Sequence, residues 1–544
     1  MKKFFSLSAI ALLAALGLCV GFWTQFGVIT SFLSFALLWQ TEKYFQAYFS
    51  KKKISIWLFW AFFLFAWNVM ATWWVRITGA LWVISTANTL VMLVPVGLWL
   101  WLRKKIATNY ETLLFVMLWL SFEFLHHRWQ LTWVWLTLGN LFLYQNSWVQ
   151  WYEYTGVLGG SLWILLTNVL IFNFFQKKTI VNLVWVGLWL LVPIGISYVM
   201  LWQYKPEPKG TLEVVLVQPN INPFTEKFSD TPHFIPFKEQ TKILLNLSEQ
   251  FITQKTDLLV FPETAFDENF DERIVPKYDN IKRLDSFQKK YAIPVIFGAS
   301  TRAFTATKTS PTSQYAENVR SFYEEFNVAY LKKEDTLQFY KKIILVPGVE
   351  TIPFPEYTIF LKDFISDIGA SFFLLGVGKE QTIFHVKNAR IAPIICYESM
   401  YGEFVGEFVK KGVNLLCTLT NDGWLGDTDW QQHHLYLGAL RCIETRREML
   451  HCSNMGASAV ISAKGEILKE IPYNQRTALR FERVILQNEI TFYTLYGDYI
   501  GRGSLIGLMI WIILVMLKKL LKNGHIIIPT KRGNSRYIGK SSKS

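Results

Sequence analysis

Cysteine is scarce in this 544-residue sequence, and its five residues form no CxxC or CxxH pair. Structural zinc sites are commonly built from such closely spaced pairs, so we predict no metal. Cys19 lies in an apolar run, whereas Cys396, Cys417, Cys442 and Cys452 lie in a later, more polar region. The last three sit in apolar strand-like or helix-like contexts. We therefore expect them to be reduced core residues, and we expect at least one thiol to be free for a reason.

Internal repeats and glycine-rich phosphate-binding loops are also absent, and we predict no cofactor. Acidic residues are nearly missing from the long apolar runs, where Glu42, Glu111, Glu123 and Glu153 all lie near run ends. A transporter is expected to place charged residues opposite each other inside its membrane spans. The distribution of acidic residues therefore argues against a transporter with a large outer domain.

Long apolar runs are abundant, since 51% of the residues are hydrophobic and 23 are tryptophan. A helix that crosses a bilayer needs about 20 largely apolar residues. Eight runs approach that length, at about 4–23, 27–46, 54–75, 81–102, 112–126, 156–175, 180–202 and 504–520. We predict a seven-helix transmembrane domain over residues 1–203 and an eighth transmembrane helix over 504–521.

The net charge of +14 is unevenly distributed. Residues 1–203 carry 13 basic and 4 acidic side chains, residues 518–544 carry 8 and none, and residues 204–517 carry 34 and 37. The excess charge therefore lies at membrane boundaries, and we predict no nucleic-acid partner. The positive-inside rule places both termini and a basic tail, 522–544, in the cytoplasm. Residues 204–503 then face outward, which in the inner membrane of a bacterium would be the periplasmic side.

The pattern changes after a linker rich in proline and glycine, residues 204–210. Short β-rich runs alternate there with helical ones, which is typical of an α/β domain. We predict strands at 212–218, 258–261, 293–298, 328–331, 382–386, 391–395, 415–420 and 457–462. We predict helices at 237–254, 279–290, 402–411 and 433–449.

Cys396 follows an apolar strand-like run, Ile391 to Ile395, and precedes Tyr397 and Glu398. Active sites of α/β proteins gather where parallel strands end, so this position suits a nucleophile. By itself the thiol is as well explained by a structural role, because free cysteine is usually buried.

Two further segments supply the groups that a thiol nucleophile needs. Glu263 follows the strand-like run 258–261, and Lys342 precedes an apolar run that leads to Glu350. A thiol attacks as a thiolate, which a glutamate with a raised pKa can generate and a lysine can stabilise. These residue types suffice for acyl transfer through a thioester. We find no histidine in a comparable position, and we predict that His433 and His434 are structural or surface residues.

The motifs together resemble the nitrilase, or carbon–nitrogen hydrolase, superfamily. Three segments resemble its signature motifs: Pro262-Glu263, Tyr340 to Pro347 with Lys342, and Cys396-Tyr397-Glu398. Two later segments, Asn421–Asp427 and Asn454–Gly456, resemble its subsequent motifs. With seven predicted spans before this region and one after it, the chain resembles the bacterial apolipoprotein N-acyltransferase family. The resemblance implies an αββα sandwich over residues 204–503.

The resemblance also implies roles for individual residues. Glu263 would be the base, Lys342 the stabiliser of the thiolate and the oxyanion, and Cys396 the nucleophile. Supporting roles are implied for four more residues: Glu350, Glu398, Tyr397 and Asn327. The implied reaction is ping-pong transfer of an acyl chain from a phospholipid to the N-terminal amine of a diacylglyceryl-cysteine lipoprotein. The expected partners are therefore the phospholipid donor, the diacylated acceptor and membrane lipids, with a monomeric enzyme.

Two positions depart from the family pattern. Gly348-Val349 replaces the usual order of a bulky residue followed by glycine, and Phe228 stands where tryptophan is common. Two enzyme-related alternatives stay open, namely a membrane-tethered amidase that uses water as the second nucleophile and a catalytically inactive lipid-binding relative. The complete set of Glu263, Lys342 and Cys396 disfavours the inactive relative.

Two apolar segments have two interpretations each. The tryptophan-rich segment, residues 124–154, either anchors the protein at the membrane interface or forms a wall beside the site. Residues 354–379 are rich in aromatic and aliphatic side chains. This stretch either packs in the core or forms an arm that contacts the outer leaflet and covers the acyl chain.

Overall fold

The computed structural model describes residues 2–49, 54–105, 110–361 and 374–522. Much of the apolar stretch 354–379 lies outside the described residues, including Phe372 and Phe373, and so does the predicted tail from 523 onward. The question of an arm therefore stays a prediction.

Long helices occupy all eight of the predicted apolar runs. They are α1 (Lys2–Trp23), α2 (Val28–Phe49), α3 (Ile54–Ala71), α4 (Leu81–Leu102), α5 (Glu111–His126), α7 (Val157–Gln176), α8 (Ile180–Gln203) and, at the other end of the chain, α15 (Tyr499–Lys522). A short helix, α6 (Tyr152–Thr155), precedes α7. Their shared core is aromatic, with Trp60 stacked on Phe115 at 5.7 Å and Phe115 on Trp119 at 5.5 Å between ring centroids.

Among the residues that the structure describes, four helices are long and apolar enough to cross a membrane: α4, α7, α8 and the Tyr499–Leu517 part of α15. Two shorter apolar helical stretches, Ser8–Trp23 and Ile56–Ala71, accompany them. Helix α8 leaves most of its large apolar side chains exposed, as a helix facing lipid does. The chain therefore has the helices of a membrane protein, whereas the count of eight spans and the predicted domain limits remain predictions.

The region after α8 contains two β-sheets. The strands are β1 (Thr211–Gln218), β2 (Leu258–Val260), β3 (Phe266–Asp271), β4 (Val295–Thr305), β5 (Gln314–Ala316), β6 (Ser321–Lys333), β7 (Thr336–Lys341), β8 (Phe384–Val386), β9 (Ala389–Ile395), β10 (Leu415–Thr420), β11 (Met449–Ser453), β12 (Ser458–Ile461), β13 (Ile467–Ile471) and β14 (Thr477–Ile485). The first sheet has the order β14-β1-β2-β4-β6-β5, with β3 beside β4 and β7 beside β6. The second has the order β13-β12-β11-β10-β9-β8.

The helices of this region are α9 (Phe237–Phe251), α10 (Asp279–Tyr291), α11 (Pro355–Thr358), α12 (Gly402–Lys410), α13 (Trp430–Thr445) and α14 (Phe492–Tyr496). Helices α9 and α10 pack on the outer face of the first sheet, and α12 and α13 on that of the second. Alternate side chains of β1 point to opposite faces. Leu212, Val214 and Leu216 join the core between the sheets, and Val215 and Val217 join the core under the helices. This is the predicted αββα sandwich.

The prediction of a helix over 433–449 is wrong at its C-terminal end. Helix α13 ends at Thr445, Arg446 takes a left-handed conformation (φ +49°), and Met449 opens strand β11. The apolar residues Met449 and Leu450 lie in a parallel strand beside β10, not on a helical face. Strands such as β13 and β14 were not predicted from the pattern, because their partly exposed faces carry polar residues that break an apolar run.

Buried charged groups join the helical region to the sandwich. Arg446 donates to the side-chain oxygen of Gln150 at 2.7 Å and pairs with Glu153. The carboxylate of Glu444 accepts from the backbone N–H of Val157 at 3.0 Å. Removing one partner of a buried charged pair is costly, so these contacts hold the two regions in one arrangement.

Candidate active site

Cys396 lies at the C-terminal end of β9, where the chain turns into a short 3₁₀ helix, Cys396–Met400. Its backbone adopts φ +49°, which is uncommon for a residue other than glycine and is typical of functional turns. All five cysteines are free thiols, and Cys396 differs from the other four in being partly exposed. The expectation that Cys417, Cys442 and Cys452 are reduced core residues is confirmed.

Glu263 and Lys342 come together with Asn327 and Glu350 in one buried group. Lys342 Nζ lies 2.7 Å from Glu350 Oε1 and 3.5 Å from Glu263 Oε1. Asn327 Nδ2 donates to Glu263 Oε1 at 2.7 Å, and the carbonyl of Asn327 accepts from the backbone N–H of Lys342 at 2.9 Å. The ammonium group is 1% exposed and thus bound between two carboxylates.

The turn that carries Glu263 is strained and tightly packed. Thr264, the next residue, has φ +48°. A Cβ atom on Gly298 would come within 2.6 Å of the Cα atom of Glu263, so only glycine allows β4 to approach this turn. Lys227, which is also buried, donates to the carbonyl of Thr264 at 2.6 Å. These contacts fix the direction of the Glu263 side chain.

The reversed glycine position in Val346-Pro347-Gly348-Val349-Glu350 suits the loop. Gly348 takes φ +78°, where a side chain would be strained, and its N–H donates to the carbonyl of Thr351 at 2.8 Å. The loop then folds back so that Glu350 Oε2 accepts from the backbone N–H of Val346 at 2.8 Å. Glu350 therefore orients Lys342 and is itself oriented by its own loop.

Glu398 has a different environment, because within the described part of the chain it accepts hydrogen bonds from uncharged donors and forms no ion pair. Its Oε1 accepts from the hydroxyl of Tyr340 at 2.6 Å and from the N–H of Ile343 at 2.7 Å. Its Oε2 accepts from the N–H of Ile395 at 2.8 Å. Burial raises the pKa of Glu398 to about 7, whereas these donors favour the ionised form. Glu398 thus ties the Lys342 segment to the end of β9, next to the thiol.

The electrostatics of the group favour a resting state with a protonated thiol. Burial raises the pKa of Cys396 well above its usual range, and the charge of Glu263 adds to this rise while Lys342 opposes it. Burial also raises the pKa of the Glu263 carboxyl, with Lys342 acting in the opposite direction. Burial lowers the pKa of Lys342, but Glu350 and Glu263 more than offset it, and the net direction is upward. A base with a raised pKa beside a cation is suited to proton transfer.

The tryptophan-rich segment reaches the site. The ring of Trp135 packs on Tyr397, the residue after the thiol, at 5.0 Å between centroids, and on Trp430 at 4.6 Å. Trp74, which follows α3 in the chain, contacts Trp430 with 4.6 Å between ring centroids. Of the two interpretations of this segment, a wall beside the site describes Trp135 better than simple anchoring does.

Phe228 stacks on Trp424 at 5.3 Å with an interplanar angle of 23°. The aromatic character of the position is thus kept although the usual tryptophan is absent. The ring packs on the Asn421–Asp427 motif and lies in the same loop as Lys227, so we assign it a packing role.

The sequence places no histidine next to the thiol motif, but the structure brings His434 to the backbone of Cys396. His434, fully buried on α13, has its Nε2 atom 3.2 Å from the carbonyl oxygen of Cys396 and 2.9 Å from the hydroxyl of Ser399. Its Nδ1 atom lies 2.7 Å from Asp422 Oδ1. Sequence spacing did not show this, because 38 residues separate His434 from Cys396. The aspartate of the Asn421–Asp427 motif was the available signal.

Asp422, His434 and His451 also form a group whose side chains have the chemistry of metal ligands. Each is buried, and His451 Nε2 lies 3.9 Å from Asp422 Oδ2. Both ring nitrogens of His434 already face hydrogen-bonding partners. The contacts are therefore those of a hydrogen-bonded cluster around Asp422.

Comparison with known families agrees with this geometry. A family model described as carbon–nitrogen hydrolase matches residues 216–491, which is half of the chain and covers both sheets. The chain therefore belongs to the carbon–nitrogen hydrolase family.

The helical region has its own match. A second model, the apolipoprotein N-acyltransferase N-terminal domain, matches residues 14–170. Among curated proteins, the apolipoprotein N-acyltransferase of Chlorobaculum tepidum is 28% identical over 84% of this chain and 86% of its own length. That of Bdellovibrio bacteriovorus is 27% identical over 76% of each. Within the family, the pairing of both domains in one chain is that of the apolipoprotein N-acyltransferases.

Proposed function

We propose that this protein transfers an acyl chain from a membrane phospholipid to the N-terminal amine of diacylglyceryl-cysteine apolipoproteins. One observation carries the proposal: the Cys396 thiol is near enough to Glu263 and Lys342 for their charges to act on its pKa, and the next residue, Tyr397, packs on Trp135 of the tryptophan-rich segment between helices α5 and α6. The matched apolipoprotein N-acyltransferase N-terminal domain and the curated relatives, which are acyltransferases by name, support the same reaction.

The first half of the reaction forms a thioester on Cys396. Glu263 takes the proton of the thiol as the sulfur attacks the ester carbonyl of the phospholipid. The negative charge that develops on the carbonyl oxygen is stabilised by the ammonium group of Lys342. When the ester C–O bond breaks, the proton on Glu263 passes to the leaving oxygen, and lysophospholipid departs.

The second half transfers the acyl group to nitrogen. The amine of the lipoprotein attacks the thioester carbonyl, Glu263 takes one of its protons, and the C–S bond breaks. The proton then returns to the sulfur, which restores the thiol and releases the amide product. The two substrates thus use one site in turn. Glu350 holds Lys342 in position, and Asn327 holds Glu263 in position.

We further propose an orientation and a location. Residues 204–503 would face the periplasm of a bacterial inner membrane, with both termini in the cytoplasm and a monomer as the working unit. Both substrates reside in the bilayer, and each exposed CH₂ of a lipid chain costs about 0.8 kcal/mol in water. A site joined to membrane helices therefore spares the lipid a passage through water.

The alternative of a membrane-tethered amidase uses the same Glu263, Lys342 and Cys396 with water as acceptor. A small polar amide needs neither the membrane helices nor the contact of Trp135 with Tyr397. Both features favour the acyltransferase.

The test is intact-mass analysis of the purified protein after incubation with phospholipid vesicles. We expect a mass increase of one acyl chain on Cys396, and we expect a diacylated lipopeptide with a free amine to discharge it. An adduct that only water discharges would support the amidase, and the absence of any adduct on Cys396 would refute the thioester.

A further inference from the structure

The backbone at Cys396 is held in its strained conformation by side chains from behind the turn. Its carbonyl oxygen accepts from the hydroxyl of Ser399 at 2.9 Å and faces His434 Nε2 at 3.2 Å. This carbonyl defines the ψ angle of Cys396. Holding it therefore restrains the direction in which the Cα–Cβ bond, and with it the thiol, leaves the chain.

His434 is fixed in turn by Asp422. The Nδ1 atom of the ring lies 2.7 Å from Asp422 Oδ1, and the ring stacks on Trp430 at 5.2 Å with an angle of 21°. The carboxylate accepts from Thr420 at 3.0 Å and from Ser453 at 3.2 Å. Every group in this chain of contacts is buried, so the ring cannot turn without breaking a hydrogen bond.

We propose that His434 is a positioning residue of the acyl-transfer reaction, whose ring holds the Cys396 carbonyl while Asp422 holds the ring. The inference rests on the proposed function and extends it to a pair of residues outside the Glu263–Lys342 group. His434 is not a catalytic residue, because it contacts the backbone of Cys396 and not the reacting atoms.

The hydrogen-bond pattern specifies what the ring must supply. A carbonyl oxygen only accepts hydrogen bonds, so a bond from the ring to Cys396 requires an N–H group at Nε2, while Nδ1 faces Asp422. Replacement by an apolar ring of similar shape keeps the stacking on Trp430 but removes both bonds. Replacement by glutamine keeps one amide N–H group that can reach toward the carbonyl.

The neighbouring His433 supplies a matched control. It lies on the same helix and is equally buried, but its Nε2 atom faces the carbonyl of Phe22 at 2.7 Å, at the end of α1. A substitution there disturbs α13 and its packing without touching Cys396, Ser399 or Asp422.

The experiment uses the full-length protein in phospholipid vesicles and compares His434→Phe, His434→Gln and His433→Gln with the unaltered protein. Thioester formation is measured by mass and divided by the amount of Cys396 that iodoacetamide can alkylate. Small misplacements of reacting groups cost about 10²-fold in rate, so we expect a loss approaching that size in His434→Phe. We expect partial rescue in His434→Gln, a near-normal rate in His433→Gln, and little change in the KM for lipid.

Asp422→Asn tests whether the pair acts as a unit. If Asp422 acts through His434, the double variant Asp422→Asn/His434→Gln will be no slower than the slower single variant. Losses that multiply would contradict the pairing.

Three outcomes would overturn the inference. A rate per alkylatable thiol in His434→Phe equal to that of the unaltered protein would leave only a packing role. If the rate falls equally in His433→Gln, the effect comes from disturbance of α13 as a whole. Inactivation by a chelator with recovery in zinc would make the cluster a metal site. If the unaltered protein forms no thioester, the proposed function fails. The alkylation rate of Cys396 then still tests the inference, since we expect it to change in His434→Phe and not in His433→Gln.

Discussion

The two sheets of the sandwich contribute different kinds of groups to one site. The first sheet carries Glu263, Asn327 and Lys342, whose side chains contact one another and hold the charges for proton transfer. The second carries Cys396 on a strained turn, and the polar groups behind it bond to backbone. The charged side chains and the nucleophile are thus held by different sheets, which we call the charged layer and the second layer. A substitution in one layer can therefore change the chemistry while leaving the other layer in place.

The largest expected effect is at the nucleophile. In the proposed mechanism the sulfur of Cys396 forms the thioester, so for Cys396→Ala we expect neither an acyl adduct nor transfer to a lipopeptide. Intact mass after incubation with phospholipid vesicles measures both. Cys417→Ala is the control, since Cys417 lies on the adjacent strand β10 and is fully buried. An adduct of normal yield in Cys396→Ala would place the nucleophile elsewhere.

The next largest effect is expected at the charged side chains of the first sheet. Glu263→Gln cannot take a proton and Lys342→Met has no charge, so each should slow thioester formation by about 10²-fold or more. Rapid-quench mass analysis measures the rate. Lys341→Met is the matched control, because the adjacent Lys341 pairs with Glu272 instead, at 2.8 Å. Equal rates in Lys341→Met and Lys342→Met would remove the special role of Lys342.

A smaller kinetic effect, with a larger effect on stability, is expected at Glu398 in the second layer. Glu398→Gln places an amide NH₂ group either against the hydroxyl of Tyr340 or against the N–H of Ile395, because these donors bond to different oxygens of the carboxylate. Leaving a buried donor unsatisfied costs about 1–3 kcal/mol. We expect a lower midpoint of thermal unfolding in detergent, with Glu407→Gln on the exposed side of α12 as control. An unchanged midpoint with a large rate loss would make Glu398 a catalytic group.

The smallest effect is a displacement on the pH axis. Because burial raises the pKa of Glu263, the carboxylate that acts as base is lost as pH falls through a value above the ordinary 4.5. The acid limb of kcat/KM for acyl transfer should therefore have its midpoint above pH 4.5, with activity rising as pH increases. The residual activity of Glu263→Gln should lack this limb. If the acid limb persists in Glu263→Gln, a group other than Glu263 is responsible for it.

Helices and buried strands were predictable where one physical signal dominates. The runs that became α4 and β10 were located to the residue, because each is predominantly apolar and is followed at once by a polar or charged residue, Arg103 or Asn421. Strand β11 was assigned to a helix, since Met449 and Leu450 fit either an apolar helical face or a buried strand. Only the parallel pairing of β11 with β10 decides between them.

The sequence by itself determined the residue types of the candidate site, because Glu263 and Cys396 each follow an apolar run that must be buried and Lys342 precedes one. It also determined that the chain needs a membrane, because apolar surface of that extent cannot face water. Tertiary structure alone decided which groups surround the thiol. His434 reaches the Cys396 carbonyl from α13, and Trp135 reaches Tyr397 from the helical region. Such contacts join residues far apart in the chain, and they depend on how layers pack, which no local pattern encodes.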